Sequence, residues 1–477
     1  MMAIRQGEQS LTDEAPYSEE PKQSVHWKPE QVLALAPDAA SARNGQALAS
    51  LRKWTSLGSA STLIWGECQG SGKTPYRTQV DLSEPAFRCS CPSRKFPCKH
   101  GLGLFLIWAE QSDRFERQEL PQWVAEWAAS RSQRAQQKSE KQAQPREQAV
   151  DPVAQEKRST ARHQKVSAGI QELRVWLEDR VRQGLAAAQP GSDQIWDQVA
   201  ARMVDAQAPG LARQLRECAG ITGSGSIEMG QLLARLGQLY LVTEGFQRID
   251  TLAAEVQTDL RTRIGWAMNQ ENVLSGEVRS DLWLVVGQQI ETDDRLKVRR
   301  VWLLGLNSDT FALLLDFAPG HQSPGHQSPG HGSFEQSFLP GTCIEAELAF
   351  YPSAYPLRAL IKSRHDAIAL SKQPPGKTIA QVISIYHHAF AKHPWLEQFP
   401  ILLNAVVPIR ESESRWLIRD AEGAVLPLSP PQDFNPYWQL LALSGGHPIA
   451  VFGEWNGTDL LPLNVWTEET VYAIGSI

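Results

Sequence analysis

The chain has 477 residues, a formal net charge of -6, 42% hydrophobic and 21% charged residues, which suits two to four globular domains with ample core material. That balance argues against a protein coated in basic surface for nucleic acid, and no apolar run is long enough to span a bilayer. Residues 1–26 are polar and acidic-leaning, with no basic-then-apolar leader, so the expected compartment is the cytoplasm, where thiols stay reduced and clustered cysteines read as metal ligands.

Residues 1–26 lack periodic apolar positions and are expected to be disordered. Order is expected from Trp27, with one helix opened by Pro29 and Glu30 and a second over about Ser41 to Trp54. Ser61–Cys68 and Pro75–Leu82 read as strands around the turn QGSGK, and Phe87–Cys91 as a third strand. A helix is expected from about Pro97, carrying Leu102, Phe105, Leu106 and Ala109 on one face. Trp123 and Trp127, four apart, suit a further short helix. This first unit covers 27–128.

Residues 129–166 turn to Gln, Ala, Ser, Lys and Arg and read as a flexible or weakly helical linker. The region 167–275 shows four apolar stripes at helical spacing: Ile170, Leu173, Leu177 and Val181; Ile195, Trp196, Val199 and Met203; Leu232, Leu233, Leu236 and Leu239; Leu252, Val256, Leu260 and Ile264. An antiparallel bundle of four or five helices follows. From 276 to 477 the period becomes that of strands, with one helix expected over about Ile379 to Leu403 and hairpin turns at Asp420–Gly423 and Asn456–Gly457.

The chemistry concentrates in CSCPSRKFPCKH, Cys89 to His100, which holds three of the six cysteines. Cys-x-Cys and Cys-x-His supply four borderline-to-soft donors, the set that tetrahedral zinc takes. In an extended strand the Cα atoms of Cys89 and Cys91 would lie about 6.6 Å apart, whereas two sulfurs on one zinc lie under about 4 Å apart. The backbone must therefore curl, and Pro92 marks the end of the strand. Four protein ligands leave no open position, so one zinc ion with a structural role is expected on Cys89, Cys91, Cys98 and His100. The surrounding Arg88, Arg94, Lys95 and Lys99 would favour thiolates. The segment from Lys73 to His100 is locally basic, setting Lys73, Arg77, Arg88, Arg94, Lys95 and Lys99 against Asp81 and Glu84. With Phe87 and Phe96 among them, these cations could meet phosphates and bases. A solvated basic face explains them equally.

Other candidates have simpler readings. Gly70–Thr74 suggests a phosphate loop, but the required earlier glycine is Glu67 and the following segment is strand-like. His321, His326 and His331 recur in a Gly/Pro/Ser repeat that reads as a loop, and His387, His388 and His393 as a solvated helix face. Glu345 and Glu347 read as the wet side of a strand, Cys68 as a core thiol or a neighbour of the zinc ligands, while Cys218 and Cys343 show no partner. No nucleophile elbow or dinucleotide fingerprint is present.

Cys-x-Cys, a six-residue spacer and Cys-x-His, preceded by strands and running into a helix, resembles the SWIM zinc finger. The flanking WGECQGSGKTPYRTQVDL resembles bacterial SWIM zinc finger family proteins in particular. The resemblance rests on Trp27 to Gln111 and implies zinc on the same four residues, a ββα-type finger and a role in protein or nucleic-acid binding. It also implies AAA-type ATPases or von Willebrand A-type proteins as partners. The expected fold class is α+β: a small ββα-type zinc finger near the N-terminus, an α-helical bundle in the middle and a mixed strand-rich C-terminal region. The expected function is that of a non-enzymatic zinc protein whose finger serves as a protein-interaction module. DNA binding through Arg88, Arg94, Lys95 and Lys99 is the alternative, and an enzyme in the C-terminal region a second one.

Overall fold

A computed structural model describes residues 27–474 apart from 28, 34, 37–38, 71, 73, 83–84, 94, 144–151, 185–192, 222–225, 294–295, 320–337, 370–372, 431–435 and 468–469. The expectations for residues 1–26 and for the histidine repeat fall outside these. Helices α1 (Pro29–Leu33) and α2 (Ala39–Leu48) lead into strands β1 (Trp54–Ala60), β2 (Leu63–Cys68), β3 (Tyr76–Asp81) and β4 (Ala86–Cys89), then helix α3 (Lys99–Gln111) and the short strand β5 (Glu116–Arg117). They form a sheet of order β4-β3-β2-β1-β5 in which β5 alone runs parallel to its neighbour. The expected helix over 41–54 stops early because Trp54 is a strand residue, its indole N–H donating back to the Leu48 carbonyl at 2.9 Å. Helix α3 is apolar nearly all round, and Leu102, Leu104, Phe105, Leu106 and Ile107 are all buried. Glycine allows this. A Cβ on Gly45 would stand 2.8 Å from the Cβ of Leu102, and one on Gly103 2.9 Å from that of Leu48, so α2 and α3 approach almost backbone to backbone.

The expected linker is largely helix. It is occupied by α4 (Gln122–Ala143) and α5 (Pro152–Gln183) on either side of residues 144–151. Helix α4 docks on the finger, with Trp127 buried and Arg131 paired with Asp81 at 3.6 Å. Helices α6 (Asp193–Asp205), α7 (Pro209–Ile221), α8 (Ser226–Gln247), α9 (Ala254–Ile264) and the short α10 (Gln270–Leu274) follow. Ile170, Leu173, Leu177, Trp196, Met203, Leu232, Leu236 and Leu260 form one core, whereas Val181, Ile195 and Leu233 from the same stripes face solvent. Pro209 opens α7 where its missing N–H costs nothing, and Gly265, at φ +102°, closes α9.

The C-terminal region holds two sheets. Strands β6 (Val278–Asp293), β7 (Leu296–Gly305), β8 (Thr310–Pro319), β9 (Thr342–Phe350) and β10 (Ala359–Ala369) pair antiparallel in the order β10-β9-β6-β7-β8. This sheet curls until its edges meet, the Leu313 amide donating to the Leu357 carbonyl at 2.7 Å. The run LWLVV is apolar on both faces because both are covered: Trp283 and Val285 face the inside of the curl, Leu284 and Val286 the second sheet. That second sheet joins β11 (Phe399–Arg410), β12 (Trp416–Arg419), β13 (Val425–Pro427), β14 (Ile449–Trp455), β15 (Leu460–Trp466) and β16 (Val471–Ala473) in the order β13-β12-β11-β14-β15-β16. Helices α11 (Ile379–Lys392) and α12 (Tyr437–Ser444) pack on it. The expected helix to Leu403 ends at Lys392 because Pro394 pushes His393 out of the helical region, and Phe399 begins a strand. Both expected hairpin turns are present, with Gly423 and Gly457 at positive φ. The order of elements is α+β, and among the described residues no helix is long and apolar enough to cross a membrane.

The segment after α11 is the seam to the bundle. Trp395 lies in the bundle core, its N–H reaching the Gln238 carbonyl at 3.3 Å. Glu397 meets Arg263 and, at 3.4 Å, Arg213, and these guanidinium groups hold its carboxyl below the usual range despite burial. His393, expected on a solvated helix face, instead faces Asp259 at 3.7 Å, and burial lowers its imidazole from the ordinary value. Arg263→Met orphans most of this arrangement. We expect it to cost on the order of 2–3 kcal/mol, somewhat below the ~3–5 of a fully stranded buried charge because Arg213 stays in place. Denaturant unfolding of the full chain checks this, and a change within error of zero would refute it.

Candidate metal centre

Strand pairing fixes the first two ligands. Cys89 ends β4 opposite Thr78 of β3, and the Ser90 amide donates to the Arg77 carbonyl at 2.9 Å. The Ser90 hydroxyl accepts from the Arg77 amide, also at 2.9 Å, so the chain leaves the sheet at Ser90 and turns Cys91 inward. Cys98 is the N-cap of α3, its Sγ accepting from the Gly101 amide at 3.5 Å, and His100 sits in the first turn. A Cβ at Gly101 would come within 2.9 Å of the Phe87 ring, so glycine lets the helix start against β4.

The result is a cluster in which the ligand atoms of Cys89, Cys91, Cys98 and His100 all lie within 4.8 Å of one another. His100 Nδ1 stands 3.8 Å from Cys89 Sγ. Ligands around tetrahedral zinc, at about 2.3 Å for sulfur and 2.0–2.1 Å for nitrogen, would be separated by roughly 3.5–3.8 Å. Donor type, number and spacing therefore fit zinc. Electrostatics fit as well. The hydrogen bonds that Cys91 takes from Cys89 and then Cys98 hold it far below the ordinary thiol range, and the same bond to Cys91 pushes Cys89 far above it. Three adjacent sulfurs cannot all be thiolates without a cation between them. A bound zinc supplies that charge and cross-links β4 to α3.

Two supporting residues were not singled out from the sequence. Thr78 places Oγ1 3.2 Å from Cys89 Sγ, and the Tyr76 ring lies 4.9 Å from the His100 ring. Both belong to the inward-facing alternation of β3, which was the available signal. Cys68 is a buried core thiol raised by burial, and Cys218 and Cys343 are buried in other cores. Arg88, Lys95 and Lys99 are exposed around the site, while Arg94 lies outside the described residues. Protonation of the ligand sulfurs is governed first by the sulfurs themselves, rather than by these cations as the sequence suggested. The next element after the glycine-bearing stretch from Gly70 is strand β3, which pairs antiparallel with β2, rather than a helix, so the context of a phosphate loop is missing. Of the acidic pair on β9, Glu345 is exposed and Glu347 accepts from the Ser363 hydroxyl at 2.8 Å.

Metal analysis of the purified chain is expected to return about one zinc, lost in Cys91→Ser and Cys98→Ser and kept in Cys68→Ser. Chelation should melt the finger, since structural zinc contributes on the order of 10 kcal/mol to such folds. A finger that stays folded and protease-resistant without metal would overturn the assignment.

Residues 76–108 match the family model of the SWIM zinc finger, and residues 161–264 match that of the SWIM-associated four-helix bundle domain. No curated protein and no solved structure matches the chain. The first match spans β3, β4 and most of α3, the ββα unit that bears all four ligands, and the second runs from Ala161 in α5 to the end of α9. The chain thus carries a SWIM zinc finger with a structural Cys3His zinc site, followed by the helical domain associated with it.

Proposed function

We propose that the protein is an adaptor whose zinc-held finger presents a surface to a protein partner. What supports the reading is the closure of the metal site by four side chains, which directs attention from the ion to the surface it stiffens. On that surface Phe96 is 45% exposed between the exposed Lys95 and Lys99, with Arg88 on the neighbouring strand. An exposed aromatic ringed by cations has the composition of an interaction anchor. An acidic partner surface with an apolar notch would complement it. By the family resemblance, AAA-type ATPases and von Willebrand A-type proteins are the first partners to test.

The same cations favour a second reading, single-stranded nucleic acid held by phosphate contacts and stacking on Phe96. The two separate by salt. Pull-down of the full chain is expected to recover a protein at about 0.5 M salt, with Phe96→Ala lowering its affinity about tenfold or more. Nucleic-acid binding instead predicts affinity that collapses between about 50 and 200 mM salt and is lost with Lys95→Glu and Lys99→Glu. Salt-sensitive oligonucleotide binding without a salt-tolerant partner would sink the adaptor reading.

A further inference from the structure

Away from the finger, a cavity of about 330 Å³ opens where the β7–β8 hairpin, the loop between β9 and β10, helix α11 and strand β11 come together. Its size falls at the lower end of ordinary small-molecule sites, roughly 300–1,000 Å³. Leu304, Phe311, Val382 and Phe399 supply apolar walls, and the Tyr355 ring stands 6.0 Å from that of Phe399. This lining suits one ring-sized or branched apolar body.

The charges at the cavity are unbalanced. Lys377 is paired with Asp309 at 2.9 Å, whereas Arg279 and Lys392 have no ion-pair partner among the described residues. Arg279 lies over the Phe350 ring at 4.9 Å, at the start of the loop that carries Tyr355. The Tyr355 hydroxyl makes no hydrogen bond with the described residues, and burial raises its phenol, so it stays a donor at neutral pH. Asp259, behind this loop, already accepts from the Ala354 amide at 2.9 Å and faces His393. Two exposed cations without an acidic partner among the described residues, one of them stacked on Phe350, and a phenol donor beside apolar walls suit an anion with an apolar body.

We propose that this cavity binds a small organic carboxylate, its ring or branched body against Phe311, Val382 and Phe399 and its charge facing Arg279 and Lys392. The site lies outside the finger, so the proposal stands or falls independently of zinc and of the adaptor reading.

Titration calorimetry of the full chain with 4-phenylbutyrate and its neutral counterpart 4-phenyl-1-butanol tests it. The acid is expected to bind at least about tenfold tighter than the alcohol. Arg279→Glu combined with Lys392→Glu, both at exposed positions, should abolish that preference while leaving alcohol binding in place. Ile385→Trp, which adds bulk to a cavity-lining residue that is 37% exposed, should weaken both ligands. Equal affinity for acid and alcohol would refute the proposal. So would acid binding indifferent to the charge reversal, or no heat of binding up to about 10 mM.

Discussion

Three sulfurs and an imidazole held within 4.8 Å of one another set the terms for the N-terminal unit. Such crowding is unfavourable for separate thiolates and favourable around one divalent cation, so metal and fold are coupled. Every local device serves this convergence: pairing of Thr78 with Cys89, the turn at Ser90, the cap at Cys98 and the glycine at position 101. The sheet and the apolar α3 then supply what a bare ββα unit lacks, a core built on Ile64, Val80, Leu102 and Phe105. Leu339, just before β9, is buried in that same core, so the finger is seated on the C-terminal region.

Elsewhere the architecture is tied by buried charges rather than by metal. Arg300 of β7 donates to Glu454 of β14 at 2.9 and 3.0 Å and to Glu291 at 2.6 Å, and the Trp302 indole reaches Glu454 at 2.7 Å. This network joins the two C-terminal sheets, as Glu397 with Arg263 joins the second of them to the bundle. Burying such groups costs several kcal/mol per ion unless every partner is in place. Each network therefore specifies one mutual placement of the parts more than it adds stability. The cavity beside α11 lies within this fixed frame and needs no rearrangement to exist.

The zinc ligands, the bundle stripes and the hairpin turns were legible because each depends on residues close in the chain. Ligand spacing brings four donors to one turn, helical periodicity sets a face, and Gly423 or Gly457 marks a reversal. Where reading failed, a distant contact had overridden local preference. Trp54 left its helical pattern because its indole bonds back to Leu48 while its backbone pairs with β2. Residues 399–403 left theirs because β14 was there to pair with them. The composition of 129–166 suggested a flexible or weakly helical linker, and helix is present, but Val166 is buried in the bundle core and Arg131 pairs with Asp81 of the finger, contacts that local composition does not encode.

By itself the sequence determined the ligand set, the closed character of the zinc site and the progression from finger to helices to strands. These follow from donor chemistry and short-range periodicity. Only the tertiary structure decided which stripe residues are buried, where the finger sits and that Arg279, Tyr355 and Lys392 share one cavity. The reason is sequence distance. Arg300 and Glu454 are 154 positions apart and Gln238 and Trp395 are 157 apart, and nothing in the local pattern of either segment names its partner.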